Sequence, residues 1–399
     1  MQTRLLGPRH ALMWPGIVSP TVGIVRDLVF WSPDILHPTV TVAGARIAGA
    51  GGAPFGTFAS GVGTTLGGAA DSTLGEALER YALNTGGLHP PASRSPWTAL
   101  PAERRLPLET FARFADGQER AAGERNLGPD DDVPWLAATS LLDGDRRLIP
   151  AFTVYGRDAR FGPTVSTGTA VGRTLTDALM TGLYEAVERH VFVTTWLTER
   201  RPPVLLTHPY EHLAPHGASL FVLHLAAFDP AHVVAAVVRR RGTGGFAVGA
   251  ACRQSLREAT RKAVLEALQS YVTAWRRTGE ERPPMPLSTL RAHAEHYLDP
   301  RHEQDARFLW AGPRQSFRDH TYASADPTAF ARRLTRHLAC APYFVNLTTP
   351  ELGAIGLTAV KVLLFGCLDI YPGTAPRYGA DWNHVIVEHQ YNRQPHPFP

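Results

Sequence analysis

Three stretches of the chain place carboxylates and bases at helical spacing within otherwise apolar segments. Ser72, Glu76, Glu79 and Arg80 stand at i, i+4, i+7 and i+8 on one helix stripe, opposite Leu74, Ala77, Leu78 and Tyr81. Asp177, Glu185, Glu188 and Arg189 repeat the arrangement, and Lys262, Glu266 and Gln269 offer a shorter third version. The hexads Glu76–Tyr81, Glu185–His190 and Glu266–Tyr271 are alike, yet too unevenly spaced for a solenoid. Buried carboxylates are costly unless paired or bound to a metal. Four glutamates and two arginines here suit a magnesium triphosphate: hard cations take carboxylate oxygens, and guanidinium takes phosphate. The other reading is i,i+4 salt bridging, Glu76 to Arg80 and Glu185 to Arg189, on solvated faces. Three matching copies weigh against it.

Standard nucleotide motifs are missing. Neither lysine follows a glycine, so there is no P-loop, and the glycines from Gly61 to Gly67 miss dinucleotide-loop spacing by one residue. The chain has no GxSxG, HExxH or CxxC. His208 with His212, and His293 with His296, have ligand-like spacing but fall in proline- or charge-rich stretches that read as surface. Cys252, Cys340 and Cys367 are odd in number and far apart in sequence, which indicates neither a disulfide framework nor a zinc knuckle.

The elements that must position these residues come from a chain of 399 residues, 44% hydrophobic and 19% charged, which excludes dominant disorder. All but Lys262 and Lys361 of its 40 basic residues are arginine, and the net charge of +4 is too small for a nucleic-acid footprint. The first residues lack a continuous apolar core, so no secretory signal is expected, and the greasiest run, Ser219–Val238, is broken by His224, Asp229, Pro230 and His232. A cytoplasmic protein with no membrane or nucleic-acid partner is the expectation. Alternation predicts two or three strands in 17–48, then a glycine-rich stretch, Gly49–Gly68, and a helix over Ala69–Leu83. Residues 87–134 read as a surface excursion, with a helix allowed in Leu108–Asn126. Strands follow in Trp135–Phe152, a second glycine loop in Ser166–Thr174, and a helix over Leu175–Leu197. Further strands are expected at Val204–Leu205, Ser219–Leu225, Val233–Arg239 and Phe246–Ala251, then a helix over Ser255–Arg276. A helix near Pro327–Leu338, strands around Tyr343–Leu347 and Val360–Phe365, and a proline-rich tail, 394–399, complete the chain. Interspersion without regular βαβ spacing makes the fold class α+β.

Taken in order, the motifs SxxxExxER from Ser72, STGTAVGRTL from Ser166, EAVER from Glu185, EALQ from Glu266 and the closing Pro395-His396-Pro397-Phe398-Pro399 resemble the YcaO superfamily of ATP-dependent amide-modifying enzymes. The stretches from Ser19 and from Asp143 fit the same pattern, and the resemblance covers nearly the whole chain. It implies one YcaO-type domain over 1–399, of α+β class, that binds ATP and Mg2+ without a P-loop. By position it implies Glu76, Glu79, Glu185 and Glu188 on magnesium, and Ser72, Arg80, Asp177, Arg189 and Gln269 around the nucleotide. The sequence departs from the family pattern at Val62 (usually lysine between the two glycines) and at Thr167 and Arg173 (usually asparagine). Glutamate is usual at the Asp177 position.

The implied activity is cyclodehydration of a ribosomal precursor peptide, in which a Cys, Ser or Thr side chain attacks the preceding amide and gives a thiazoline or oxazoline. Macroamidine or thioamide formation, and a non-catalytic docking scaffold, are the alternatives. The chain leaves no room for a fused leader-binding domain, so a separate partner or independent action is expected, with a homodimer common in the family. For the base, the sequence offers the Pro399 carboxylate or His396, delivered by a tail stiffened by alternating prolines.

Overall fold

Hydroxyl residues start all three motif helices. Thr65 Oγ1 accepts from the Gly68 amide at 3.1 Å, Thr174 Oγ1 from the Asp177 amide at 3.1 Å, and Ser255 Oγ from the Glu258 amide at 3.3 Å. Asp177 Oδ2 in turn accepts from the Thr174 amide at 3.2 Å and closes a capping box. The helices so launched are α1 (Leu66–Gly86), α2 (Leu175–Leu197) and α3 (Leu256–Trp275). The computed structural model describes residues 16–31, 40–48, 55–86, 92–114, 123–156, 158–275, 287–323, 326–373 and 391–398.

In chain order the strands are β1 (Val25–Trp31), β2 (Thr41–Ile47), β3 (Phe58–Gly63), β4 (Ala92–Ser95), β5 (Val133–Ser140), β6 (Arg146–Pro150) and β7 (Thr169–Gly172). They continue as β8 (Val204–Leu206), β9 (Ala218–Phe228), β10 (Ala231–Arg240), β11 (Phe246–Arg253), β12 (Arg314–Ser316), β13 (Ala341–Asn346) and β14 (Thr358–Phe365). Three sheets result: β1-β2-β3; β11-β10-β9-β8-β12; and β4-β5-β13-β14-β7 with β6 on β5, antiparallel except for the parallel β8–β12 pair. The fold class is α+β, as expected from the sequence.

The apolar run that could not span a membrane is the β9–β10 hairpin. On β10, Val233, Ala235 and Val237 join the core against α2, while Val234, Ala236 and Val238 join the core against α3. Period-two alternation thus puts one strand between two motif helices. No described helix is long and apolar enough to cross a membrane.

β3, β7 and β11 each run directly into a motif helix that lies back across its own strand. A Cβ on Gly61 would strike the Thr73 backbone of α1; one on Gly172 would sit 2.6 Å from Ala178 N of α2; one on Gly249 would strike the α3 backbone at Ala267. The glycine-rich stretch Gly49–Gly68 contains β3, and Ser166–Thr174, expected as a glycine loop, contains β7. Glycine there marks close approach of a helix to a strand rather than absence of a strand.

Other departures have similarly local causes. Within Leu108–Asn126 the described helix is one 3-10 turn, Leu108–Phe111, whose Phe111 is buried edge-on to Trp135. The later helix ends earlier than expected, at Leu334. Tyr81, opposite the polar stripe of α1, is only partly buried, unlike Leu74, Ala77 and Leu78 on the same face. His208 and His293 are buried rather than on the surface, and among the described residues no three His, Cys, Asp or Glu side chains converge on a metal position. Cys340 and Cys367, distant in sequence, are free thiols that hydrogen-bond each other beside the β13–β14 pair.

Crowding at the helix–strand contacts is testable by paired glycine substitutions. Gly249→Ala should lower stability by about 1–3 kcal/mol in urea unfolding. Gly75→Ala, on α1 with nothing within 4 Å of the new Cβ, should raise it by about 0.5–1 kcal/mol. Equal effects at the two sites would exclude crowding as the reason for Gly249.

Candidate active site

The helix–strand contacts turn the polar stripes of α1, α2 and α3 toward one cleft of about 1660 Å3. Glu76 and Glu185, at the first position of their hexads, are held by the same device. Glu76 Oε2 accepts from the Ser60 amide of β3 at 3.0 Å, and its Oε1 from Arg80 Nη2 at 2.6 Å. Glu185 Oε2 accepts from the Gly168 amide, just before β7, at 3.0 Å, and its Oε1 lies 3.4 Å from Arg189 Nη2. The backbone fixes one carboxylate oxygen, and a base one helical turn on fixes the other. In α3 the equivalent Glu266 pairs with Lys262 at 3.0 Å, and Gln269 Nε2 donates to Ser60 Oγ at 2.8 Å.

The fourth residue of each EAxER hexad points into the same space. Glu79 accepts a backbone hydrogen bond from Val171 of β7, so α1 reaches into the α2 unit. Burial, with Glu185 and Glu76 as like-charged neighbours, raises the Glu79 carboxyl well above the usual range. Glu188 is 3% exposed. Its pKa is pushed up to about 8, first by burial and then by Glu266, with Arg189 and Lys262 opposing. Carboxylates from three helices therefore repel one another in one low-dielectric space, and a bound cation reverses that balance.

The residues present fit ATP with Mg2+ on two counts. Arg189 Nε and Nη1, together with the Thr169 hydroxyl, are buried at the cleft wall with no hydrogen-bond partner, although Nε lies 3.6 Å from Glu188. Native proteins leave few such donors unmatched, and phosphate oxygens match a guanidinium edge. The carboxylates are not drawn into a closed metal cage. That suits Mg2+, which keeps waters and phosphate oxygens among its ligands and needs only one or two carboxylates at a time. Glu76, Glu79, Glu185 and Glu188 would hold the metal, and Arg80, Arg189 and Thr169 the phosphates.

The cleft gathers Ser72, Glu76, Glu79, Arg80, Glu185, Glu188, Arg189 and Gln269, all expected from the sequence. Asp177 is not among its lining: it is exposed at the start of α2, where its carboxylate is spent on the capping box. His396 also lies off the cleft, fully buried, with Nε2 3.2 Å from the Tyr371 amide and 3.1 Å from the Tyr371 carbonyl. Burial holds its imidazole well below the ordinary value, so it is neutral and structural in this position. Pro399 lies outside the described residues. Of the departures from the family pattern, Val62 is buried against the α3 core while lining the cleft, Thr167 is buried, and Arg173 is exposed. Sequence reasoning gave Lys262 and Glu266 no role in the site, although Glu266 holds the hexad position of Glu76 and Glu185. It gave none to Ser60 and Thr169 either, since nothing in the sequence tells a strand hydroxyl that faces a cleft from one that does not.

The tail reaches the site by a route of its own. Trp196 Nε1 donates to the Gln394 carbonyl at 2.9 Å and Tyr297 Oη to the Pro395 carbonyl at 2.6 Å. Phe398 is 2% exposed, its ring centroid 4.9 Å from that of Phe192, with the Arg189 guanidinium 3.9 Å above it. The tail thus supports Arg189 from behind by a cation–π contact.

A family model described as YcaO cyclodehydratase, ATP- and Mg2+-binding, matches residues 60–367. No curated relative matches. Among solved structures, a heterocyclase in complex with substrate and cofactor has a TM-score of 0.76 at 21% identity, covering 98% of this chain and 57% of that one. The chain thus spans little more than half of that protein. YcaO from Methanopyrus kandleri, bound with AMPPCP and Mg2+, has a TM-score of 0.61 at 19% identity over 94% of this chain and 91% of that one. A chain of the Escherichia coli microcin synthetase McbBCD complex with pro-MccB17 bound has a TM-score of 0.65 at 15% identity, covering 93% and 96%. At these identities the likeness is one of fold.

The raised Glu188 carboxyl sets a pH dependence. Its pKa is about 8 in the folded chain against 4.5 for the unperturbed group, so the folded chain keeps a proton that the unfolded chain releases. The stabilisation linked to it is complete below the unperturbed value and is lost as pH rises through the folded one. In chelator-treated protein the melting temperature should fall between about pH 4.5 and 8, Glu188→Gln should flatten that slope, and Mg2+ with ATP should offset it. A flat wild-type profile in chelator would show that the Glu188 carboxylate is not held against its own charge.

Proposed function

The chain belongs to the YcaO family, and we propose that it uses ATP and Mg2+ to cyclodehydrate Cys, Ser or Thr residues of a ribosomal precursor peptide to thiazolines or oxazolines. The observation that carries this reading is the paired EAxER geometry. Glu76 and Glu185 line one cleft and are each clamped by a backbone amide and an arginine, and two Arg189 donors at the same cleft have no hydrogen-bond partner. A chain that serves only for docking has no use for carboxylates held against their own repulsion.

In the reaction, the side-chain oxygen or sulfur of the peptide attacks the preceding amide carbon, and the amide oxygen must then leave. ATP, when bound, supplies the γ-phosphoryl group that makes this oxygen a good leaving group, so the products are the azoline, ADP and phosphate. The protein's part is positioning and charge compensation. Glu76 and Glu79 of α1 with Glu185 and Glu188 of α2 would hold the metal. Arg80 and Arg189 would meet charge developing on the phosphates, with the Phe398 ring backing the Arg189 guanidinium. Ser60 and Gln269 close the α3 side of the site through their mutual hydrogen bond. The nucleophile's proton, and the amide proton lost as the C=N bond forms, go to a base; His396 is occupied with Tyr371, so of the two groups expected from the sequence we assign that role to the Pro399 carboxylate. The peptide would reach the cleft with a separate leader-binding partner or alone; a relative bound to pro-MccB17 within a multi-subunit synthetase supports the former.

The test is incubation of the chain with Mg2+, ATP and a Cys-, Ser- or Thr-containing precursor, with product mass read for loss of one water per ring. Exchange of amide oxygen for sulfur, or a ring closed by an amine, would redirect the reading to thioamide or amidine formation. Glu76→Gln and Glu185→Gln should each lower Mg2+-dependent ATP turnover at least about 100-fold with the melting curve retained. Wild-type turnover in both would return the two helices to ordinary salt bridging.

The tail gives a separate expectation. Phe398→Leu keeps apolar volume but removes the ring beneath Arg189, a desolvated cation–π contact of about 1–2 kcal/mol. Peptide cyclisation should slow about tenfold while the thermal shift by ATP persists. Undiminished cyclisation would show that the ring does not support Arg189.

A further inference from the structure

The mechanism leaves one buried charge unused. Lys361, on β14, is one of two lysines in the chain and is 2% exposed. A hydrophobic side chain of similar length fills such a position at less cost than an ammonium, so the charge needs a task. Its Nζ donates to the Val165 carbonyl at 2.6 Å. The amide of the next residue, Val362, donates to the Gly168 carbonyl at 2.8 Å. The 165–168 loop is therefore tied to β14 at both ends, by a side chain at one and by backbone at the other. Between these ties the chain turns through Gly168 at φ 78°, where a Cβ would strike the Val362 carbonyl. Ser166 and Thr169 from this segment line the cleft, and the Gly168 amide is the donor that holds Glu185 Oε2. The carboxylates of Asp369 and Glu185 favour the ammonium electrostatically, while the Arg113 guanidinium opposes it.

We propose that Lys361 is a positioning residue for the metal–nucleotide site: its ammonium holds the 165–168 loop so that the Gly168 amide fixes the Glu185 carboxylate. The proposal rests on the reading of Glu185 as a magnesium ligand. Lys361 touches neither nucleotide nor peptide and acts through the loop. Loss of the ammonium frees the Val165 end while the Val362 tie remains, so Glu185 keeps its charge but loses its fixed direction. Groups that orient metal ligands from behind in this way typically change metal affinity or activity about 10–100-fold when removed.

Lys361→Met is compared with wild type by amide hydrogen exchange and by magnesium titration of ATP turnover, with Lys361→Gln in its place if the methionine variant does not fold. Exchange in the 165–169 segment should quicken at least about tenfold with β5 and β10 unchanged. The half-saturating Mg2+ concentration should rise about 10–100-fold, and the KM for peptide should stay the same. A role limited to general stability would instead speed exchange in all strands and leave the magnesium requirement alone. Unchanged protection of 165–169, or an unchanged magnesium requirement in a folded variant, overturns the proposal. Wild-type protein with no Mg2+-dependent ATP turnover would refute the functional reading; exchange alone would then decide whether Lys361 tethers the loop.

Discussion

Mutual repulsion among carboxylates in one partly buried cleft is the constraint that the rest of this structure depends on. Glu79 and Glu188 are raised by burial and by the charges of Glu76, Glu185 and Glu266, which come from three different helices. Left free, such side chains would turn outward to water or hold protons. Here they are restrained by groups that have nowhere else to go: backbone amides of Ser60 and Gly168, and bases one turn further along the same helix. The site is electrostatically unfavourable for the protein alone and favourable for a cation with a polyphosphate, which is how a binding site for Mg2+ and ATP can exist without a P-loop.

Holding charges in place against repulsion demands a rigid frame, and small residues provide it. Because Gly61, Gly172 and Gly249 let each motif helix lie directly on its strand, a hexad carboxylate can reach a backbone amide near that strand. A bulkier strand residue would lift the helix and take the carboxylate out of reach of its amide. β10, buried on both faces between α2 and α3, then fixes two of the three helices relative to each other through one strand.

The tail adds a second kind of control. Arg189 lies between Glu185, Glu188 and the ring of Phe398, with two of its nitrogens unmatched. A guanidinium between carboxylates alone would be drawn to the stronger partner. Stacking on an aromatic face restricts its tilt without using its donors, so they stay available for phosphate. The alternating prolines and the neutral His396 on Tyr371 bring Phe398 to that place as part of a pre-ordered segment.

The sequence by itself determined the three helices, their polar stripes and the identity of the carboxylates, because 3.6-residue periodicity and charge cost are local properties of the chain. α2 runs from Leu175 to Leu197 as the periodicity predicts, and eight of the expected site residues share one cleft. Tertiary structure decided the rest. Asp177 looks like a ligand by position and serves as a cap, since a side chain in the first helical turn finds the amide of the N-cap Thr174 sooner than a distant cleft. His396 looks like a base by type and is a buried strut, since its environment is made by Tyr371, twenty-five residues earlier in the chain. β3 and β7 hide in glycine-rich stretches because the reason for those glycines is a helix packed across them, a contact that no local pattern records. Lys361 carries no motif at all. Its tie to the Val165 carbonyl exists only once β14 lies against β7, because pairing between strands so distant in sequence is fixed by the packing of the whole core rather than by either strand.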